Sequence, residues 1–144
     1  VLHTGGTRPE GLDAGWYYLP TVLGCPNQEG TCTRVELFGP VMSVISFETE
    51  ADAVAMANDT EFGLAAGIFS SDASRVHRVA RSVRAGIVWV NTYRAISPIA
   101  PFGGFGNSGS GREAGVDAIG EFTRTKTVWI NTSEQPMANP FTIR

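Results

Sequence analysis

The sequence predicts an α/β fold with an open, parallel, three-layer sheet, and three observations indicate this class. Short apolar runs rich in β-branched residues alternate with segments of helical periodicity from residue 41 onward. The run IVWV at 87–90 contains no polar residue, as expected for a strand covered on both faces of a parallel sheet. Glycine and proline punctuate these segments. Strands joined through helices by right-handed crossovers are therefore expected.

The bulk composition predicts one domain with its own core. The chain has 144 residues, of which 42% are hydrophobic and 17% charged, as in ordinary soluble domains. A net charge of -3 and a single lysine, Lys126, argue against nucleic-acid and anionic-membrane partners and exclude a GxxxxGK[ST] phosphate loop. No apolar run approaches the ~18 residues of a bilayer span, and no leader peptide is recognised. A soluble, non-secreted, cytoplasmic protein is expected.

The first forty residues are predicted to alternate turns with short strands. Residues 1–6 and 16–23 are strand-like, although Pro20 limits the second run to an edge strand or a bulge. The stretch RVELFGP at 34–40 predicts a single helical turn that Gly39 and Pro40 stop. The chain opens at Val1 inside a strand-like run and without a methionine, which leaves open both a natively short chain and a truncation of a longer protein.

The two cysteines, Cys25 and Cys32, match no zinc-binding pattern. Two thiols in a domain of this size indicate a reducing compartment rather than a disulfide scaffold. A structural or incidental role is expected for both, and no metal site is expected.

From residue 41 onward the predicted elements alternate regularly. Thr49 and Asp52 form a capping box that starts one helix, and Ser110 with Glu113 forms another that starts a helix near Gly111. Four arginines along the second helix predict a solvated face rather than a nucleic-acid surface, because the chain is acidic overall. The predicted strands are 41–47, 64–70 and 86–91, and the predicted helices are 50–58, 72–84 and 111–121.

A long glycine-rich loop is predicted after the strand at 86–91. Connections of this length are usually functional, and chain leaving the carboxyl end of a parallel strand usually lines a ligand crevice. Residues 104–109 spell GxGxxG, but the strand ends well before them and position 124 is arginine where a dinucleotide site needs an acidic residue. The fingerprint is therefore rejected, and the glycines indicate turns and close backbone approach.

No catalytic set emerges from the residues. The string GNSGS at 106–110 is not GxSxG, and neither His3 nor His77 has a triad context. By itself, Glu36 would be a solvated carboxylate, and a strand at 126–131 would join the chain's own sheet.

Four motifs in register resemble the NAD(P)-dependent aldehyde dehydrogenase superfamily. They are VELFGPVMSVISF, NDTEFGLAAGIFSSD, PFGGFGNSGSGRE preceded by GIVWVN, and EFTRTKTVWIN, and the resemblance spans Val1 to Asn131. Members of that family are much longer, so the chain resembles their carboxyl-terminal third. The resemblance implies that residues 1–122 belong to the catalytic and cofactor-binding region and that residues 123–144 form an oligomerisation strand and tail.

The resemblance implies oxidation of an aldehyde to a carboxylic acid with NAD or NADP. A cysteine thiolate attacks the aldehyde, hydride passes to the cofactor, and water hydrolyses the thioester. In the family the nucleophile and the base lie upstream of the matched region, and neither Cys25 nor Cys32 matches the nucleophile's setting. No catalytic residue is assigned, and this chain alone is expected to be inactive.

The resemblance also implies site residues. Glu36 and Phe38 correspond to residues that contact the nicotinamide riboside half of the cofactor, where a carboxylate can accept hydrogen bonds from both ribose hydroxyls. Phe102 would face the aldehyde, and Arg94 and Ile96 stand where members vary the substrate tunnel. An inward Arg94 would favour an acidic aldehyde, and a surface arginine is the alternative. Glu36 and Phe102 are expected on opposite borders of one crevice.

The resemblance implies a homo-oligomer, a dimer or tetramer, assembled through the strand at Lys126–Asn131. The competing interpretation is a non-catalytic α/β module that serves in interaction or assembly. The ELFGP motif at 36–40 and the PFGG motif at 101–104 favour the enzyme, because a bare scaffold has no need of them.

Overall fold

The computed structural model describes residues 1–137, 139 and 141, and it shows a mixed α/β fold. Within these residues, no helix combines the length and the apolar character that crossing a bilayer requires. Two short 3₁₀ turns lie at Gly106–Ser108 and Val116–Ala118. The strands are β1 (Leu2–Thr4), β2 (Thr21–Gly24), β3 (Val41–Val44), β4 (Ala65–Ile68) and β5 (Ile87–Val90), and the α-helices are α1 (Thr31–Arg34), α2 (Glu50–Asn58), α3 (Ala73–Ser82) and α4 (Ile119–Phe122).

The strands form two sheets instead of the single open parallel sheet that the sequence predicts. In the first sheet, β1 pairs antiparallel with β2, and β2 pairs in parallel with β3. In the second sheet, β4 pairs in parallel with β5. Helix α2 joins β3 to β4, yet these two strands are not hydrogen-bonded to each other. Within the described residues, one edge of β3 and one edge of β4 therefore carry no strand partner. The predicted single sheet is divided between these two strands.

Helix α2 begins at the residue that its predicted capping box indicates, and α3 begins one residue after the predicted start at residue 72. The Thr49 hydroxyl accepts the Asp52 N–H at 3.1 Å, and the Asp52 carboxylate accepts the Thr49 N–H at 2.9 Å. This is the predicted capping box, which satisfies otherwise unpaired N–H groups of the first turn. Asp72 caps α3 by accepting the Arg75 N–H at 3.0 Å. Val76 is the inward residue of α3 and is buried.

The arginine face of α3 is solvated, as predicted. Arg75 and Arg78 donate to the Glu50 carboxylate of α2 at 3.1 and 2.9 Å, and the side chains of both arginines are more than half exposed. Hydrogen bonds from Arg78 first, and then from Arg75, lower the pKa of Glu50. These exposed pairs align α2 with α3 and contribute little stability.

Two predicted helices differ from the structure. The helical turn expected at 34–40 lies instead at Thr31–Arg34, and Val35 is already extended. The helix expected from Gly111 is wrong up to residue 115, because Glu113 forms an antiparallel bridge with Phe102 rather than a capping box. The two reciprocal N–H···O bonds of that bridge measure 2.6 and 2.7 Å.

The predicted strand at 126–131 is not formed, since residues 123–133 have no regular secondary structure. A strand needs a partner for its backbone groups, and the described chain offers none at this place. Part of the predicted tail, namely residues 138, 140 and 142–144, lies outside the described residues.

The chain exposes much more surface than a self-contained domain of its mass. Its accessible surface is 11747 Å². A compact monomer of this mass would expose roughly 7,200 Å². Val76 is the one buried hydrophobic residue of the described chain, and Trp16 and Trp129 are 100% and 92% exposed. The expectation of a domain with its own core is therefore wrong, because the apolar faces have too little to pack against within this chain.

Candidate functional site

The first candidate site is a recess of about 610 Å³, here called the Glu36 pocket. It lies between residues 33–36 at the end of α1 and just beyond it, the segment 60–66 that leads into β4 and includes its start, residues 83–85 before β5, and residues 107–108. Glu36 stands exposed at the border of this pocket. An exposed carboxylate is acceptor-only and can bind the paired hydroxyls of a sugar.

Phe38 lies two residues beyond Glu36, and its side chain is 94% exposed. Its φ of 52° lies in the left-handed region, which is rare for a bulky residue and costs on the order of 1–3 kcal/mol. The Val41 N–H donates to the Gly39 carbonyl at 2.8 Å and closes the turn that follows. Strained backbone that presents an aromatic ring to solvent indicates a functional constraint at this position.

The second candidate site is built by residues 98–113, here called the glycine loop. The chain leaves the carboxyl end of β5 through residues 91–97, and the glycine loop then folds back to the amino ends of β4 and β5. There the Phe105 N–H donates to the Gly63 carbonyl at 3.0 Å, and the Asn107 N–H donates to the Glu61 carbonyl at 2.9 Å. The predicted crevice at the carboxyl ends of the strands is therefore replaced by packing at their opposite ends.

Two side chains reinforce this return of the glycine loop. The Asn107 amide donates to the Glu61 carboxylate at 2.6 Å. The Ser108 hydroxyl accepts the Gly63 N–H at 3.1 Å. Neither Asn107 nor Ser108 is recognised as a site residue from the sequence, because their partners lie 46 and 45 positions away.

Glycines are required where backbones meet. A Cβ added at Gly86 would overlap the carbonyl oxygen of Gly103, and one added at Gly106 would overlap the carbonyl oxygen of Glu61. The predicted role of the glycines in close backbone approach is thus confirmed at both positions.

Arg112 fastens the glycine loop to itself. Its Nη1 donates to the carbonyls of Gly104 and Gly111, both at 2.9 Å, and to the Ser110 carbonyl at 3.4 Å. The guanidinium carbon also lies 5.3 Å from the centroid of the Phe105 ring, within cation–π distance. Sequence reasoning missed Arg112, although an arginine beside many glycines is a usable signal, since their carbonyls need donors.

Ile96 and Phe102 line a common recess of about 210 Å³. Phe102 is half-buried and is held by its backbone bridge to Glu113. Arg94 is not among the residues that line this recess, and it is exposed with a φ of 59°. The structure thus brings two of the three expected substrate residues together and leaves Arg94 on the turn between them and β5.

That turn is fixed by two side chains at the end of β5. The Trp89 indole N–H donates to the Ala95 carbonyl at 2.7 Å. The Asn91 amide exchanges hydrogen bonds of 2.9 Å with the N–H and the carbonyl of Ser70, which ties together the chain that follows β4 and β5. Asn91 was not predicted, although its left-handed φ of 51° is a conformation that asparagine tolerates.

Glu36 and Phe102 do not border a single crevice in this chain. Phe102 lines a further recess of about 630 Å³ between the glycine loop, Leu64 and the segment 114–122. This recess and the Glu36 pocket share Leu64 and Ser108 in their walls. The expected crevice is therefore two adjoining pockets.

The charges at the Glu36 pocket include one close ion pair. Arg34, which lines the pocket, donates to the Asp59 carboxylate at 2.7 Å. This hydrogen bond lowers the pKa of Asp59 and raises that of Arg34.

Among the residues that the structure describes, no group of three or more histidine, cysteine or acidic side chains could hold a metal ion.

Comparison with known proteins identifies the family. The model of the aldehyde dehydrogenase family matches residues 1–128. The chain therefore belongs to the aldehyde dehydrogenase family.

Curated relatives are similar over almost the whole chain. A (Z)-2-((N-methylformamido)methylene)-5-hydroxybutyrolactone dehydrogenase of Acinetobacter baylyi is 53% identical over 99% of this chain. A betaine aldehyde dehydrogenase of Brucella anthropi is 44% identical over 90% of it. The chain spans only 29% and 27% of the lengths of these two relatives.

Solved structures agree with the fold. Indole-3-acetaldehyde dehydrogenase AldA of P. syringae, in complex with NAD+ and IAA, matches 90% of this chain with a TM-score of 0.84 and 41% identity. A Mycobacterium tuberculosis aldehyde dehydrogenase complexed with NAD+ matches 94% with a TM-score of 0.83 and 39% identity. This chain covers 26% and 28% of those two chains.

Proposed function

We propose that this chain is the carboxyl-terminal third of an NAD(P)-dependent aldehyde dehydrogenase, and that it supplies cofactor-lining and substrate-lining residues. The observation that carries the proposal is the family match over residues 1–128. Residues 1–122 would belong to the catalytic and cofactor-binding region, and residues 123–144 would form the oligomerisation strand and tail.

The uncovered surface supports a role as part of a larger body. Met42 and Val44 of β3 are 60% and 47% exposed, and the free edges of β3 and β4 lie on strands that one helix connects. Two parallel strands joined through a helix normally belong to one sheet. Strands from the rest of the enzyme would fill the interval and complete the three-layer parallel sheet.

The reaction would be oxidation of an aldehyde to a carboxylic acid through a thiohemiacetal and a thioester on a cysteine outside this chain. Bound NAD(P) would accept the hydride. Glu36 would accept hydrogen bonds from the ribose hydroxyls, and the exposed Phe38 ring would hold the nicotinamide side in place. This fits the exposed carboxylate at the border of the Glu36 pocket and the strained, exposed aromatic two residues beyond it.

The glycine loop would form a wall of the aldehyde path. Phe102 and Ile96 already share a recess, and Arg94 would add a positive charge at the turn beside it. The named relatives act on different aldehydes, such as betaine aldehyde and indole-3-acetaldehyde, so the wall residues are where substrate choice would be made.

The same proposal covers the assembly of subunits and the cellular compartment of the enzyme. Val128, Trp129 and Ile130 are 68%, 92% and 79% exposed, which supports pairing of residues 126–131 with a neighbouring subunit of a homo-oligomer. We place the enzyme in the cytoplasm, in keeping with two cysteines that are both free thiols.

The test uses the complete enzyme with Glu36→Gln, which keeps the shape but removes the charge. Hydrogen bonds to charged groups contribute about 1.5–3 kcal/mol, so the KM for NAD(P) should rise roughly tenfold to hundredfold. Glu10→Gln, at an exposed carboxylate that lines neither pocket, is the matched control. An unchanged KM in Glu36→Gln would remove Glu36 from the cofactor site.

Two further measurements test the inactivity of this chain alone and the role of Arg94. Mixed with NAD+ and an aldehyde, the isolated chain should produce no reduced cofactor, because it lacks the nucleophile and the base. Activity of the chain alone would overturn the proposal.

In the complete enzyme, Arg94→Ala should lower kcat/KM for acidic aldehydes relative to neutral ones. An unchanged ratio would eliminate Arg94 as a specificity residue.

A further inference from the structure

The sulfur atoms of Cys25 and Cys32 lie 3.5 Å apart. Both residues are half-buried, and both are free thiols. The sulfurs of a disulfide are about 2.05 Å apart, so these atoms need to approach by only about 1.5 Å to bond. The sequence gives no hint of this contact, because it depends on how the intervening loop folds.

Both cysteines are anchored to the same strand. The Cys25 N–H donates to the Val44 carbonyl of β3 at 2.8 Å. The Cys32 carbonyl accepts the hydroxyl of Ser43, also on β3, at 2.7 Å. The closeness of the two sulfurs therefore follows from a shared backbone support.

The loop between the cysteines is itself ordered by hydrogen bonds. The Asn27 carboxamide oxygen accepts the Glu29 N–H at 3.0 Å, and the Gln28 amide donates to the Met56 carbonyl at 2.8 Å. The loop is short and mostly exposed, so a small closing movement displaces little packed structure.

We propose that Cys25 and Cys32 form a reversible dithiol–disulfide site whose oxidant is a hydroperoxide. One thiolate attacks the peroxide O–O bond, which forms a sulfenic acid and releases an alcohol or, from hydrogen peroxide, water. The second sulfur attacks the sulfenic sulfur, forms the S–S bond and expels water. Two thiols thereby lose two electrons and two protons, and a dithiol reductant restores them.

The contact with Cys32, followed by burial, raises the pKa of Cys25, which disfavours its thiolate. The 3.5 Å separation of the two sulfurs allows either cysteine to resolve a sulfenic acid that forms on the other.

A disulfide at this site would tie the start of α1 to the end of β2. Helix α1 leads directly to Glu36, so the bond would restrain the chain that enters the Glu36 pocket. The disulfide chemistry itself does not depend on the proposed cofactor role of Glu36.

The test treats the complete enzyme with hydrogen peroxide, alkylates the remaining thiols, denatures the protein and cleaves it after Glu29, which lies between the two cysteines. Mass spectrometry should find the two flanking peptides joined by a disulfide, and dithiothreitol should separate them. Cys25→Ser and Cys32→Ser should each abolish the joined product. In each single variant, a sulfenic-acid trap should label the remaining cysteine of the pair.

The opposite result is equally clear. Recovery of Cys25 and Cys32 as separate alkylated or sulfinic peptides from the oxidised wild-type enzyme, with no joined product, would overturn the proposal. Because the wild-type protein gives this answer, a folding defect in either serine variant would not obscure it.

Discussion

The glycine loop and the segment Val35–Gly39 are both expected to line the site, yet they are held in opposite ways. The loop is fixed by the Phe102–Glu113 bridge, by Arg112 and by backbone bonds to Gly63 and Glu61. Residues 36–38 make no hydrogen bond within the described chain, and Phe38 is strained and exposed. This chain therefore shapes its own glycine loop, whereas the conformation of the Glu36–Phe38 segment needs partners from outside it.

The largest effect should come from Gly86→Ala. A Cβ at Gly86 overlaps the Gly103 carbonyl, and backbone cannot yield as a flexible side chain can. We expect a loss of about 3 kcal/mol or more in the free energy of unfolding, measured as a drop in the thermal midpoint of the complete enzyme. Gly120→Ala is the control, since nothing in this chain lies within 4 Å of a Cβ there. Equal midpoints would mean that the loop does not need this close approach.

Arg112→Ala should have the next largest effect, because it removes the donor for three loop carbonyls. We expect a loss of about 1–3 kcal/mol in stability together with a higher KM for the aldehyde, since the wall at Phe102 loosens. Arg112→Lys should recover only part of both, because a lysine cannot reproduce the guanidinium's geometry.

Arg81→Ala, on the exposed face of α3, controls for loss of a positive charge. A fall in stability with unchanged substrate kinetics would confine Arg112 to a structural role.

Two substitutions of Phe38 separate the effect of backbone strain from the effect of the aromatic ring in the segment that contains Glu36. Phe38→Asn relieves the left-handed strain and should raise stability by up to about 1 kcal/mol, while loss of the ring weakens cofactor binding. Phe38→Ala loses the ring but keeps the unfavourable φ, so it should weaken cofactor binding without the gain in stability. Thermal midpoints and the KM for NAD(P) measure the two effects separately. A cofactor KM unchanged in both variants would contradict the proposed contact.

The smallest effect should come from Asp59, next to the Glu36 pocket. Arg34 holds the pKa of Asp59 below its ordinary value of 3.8. The pair's contribution to stability is thus present above that value and is lost as the pH falls through the lower folded-state pKa. Asp59→Asn should therefore differ slightly from wild type in thermal midpoint at neutral pH, and the difference should vanish in acid. A difference that grows on acidification would contradict this sign.

Local signals predicted the middle of the chain well. The Thr49–Asp52 capping box, the α2 boundaries and the parallel pairing of β4 with β5 all follow from residues close in sequence. The same reasoning failed at Ser110–Glu113, where a capping pattern lost to backbone pairing between Phe102 and Glu113. A local capping motif provides one or two hydrogen bonds, and pairing with a distant backbone segment can provide as many.

The alternation of strands and helices from β3 to β5 and the capping box of α2 were written in the residues, because periodicity and capping act over a few positions. The candidates Glu36 and Phe102 came from the resemblance of longer motifs to a family. Three features came only from folding: the division into two sheets, the return of the glycine loop to the amino ends of β4 and β5, and the 3.5 Å contact between Cys25 and Cys32. Each depends on groups far apart along the chain, and their meeting is governed by which backbone edges and apolar faces find partners in three dimensions.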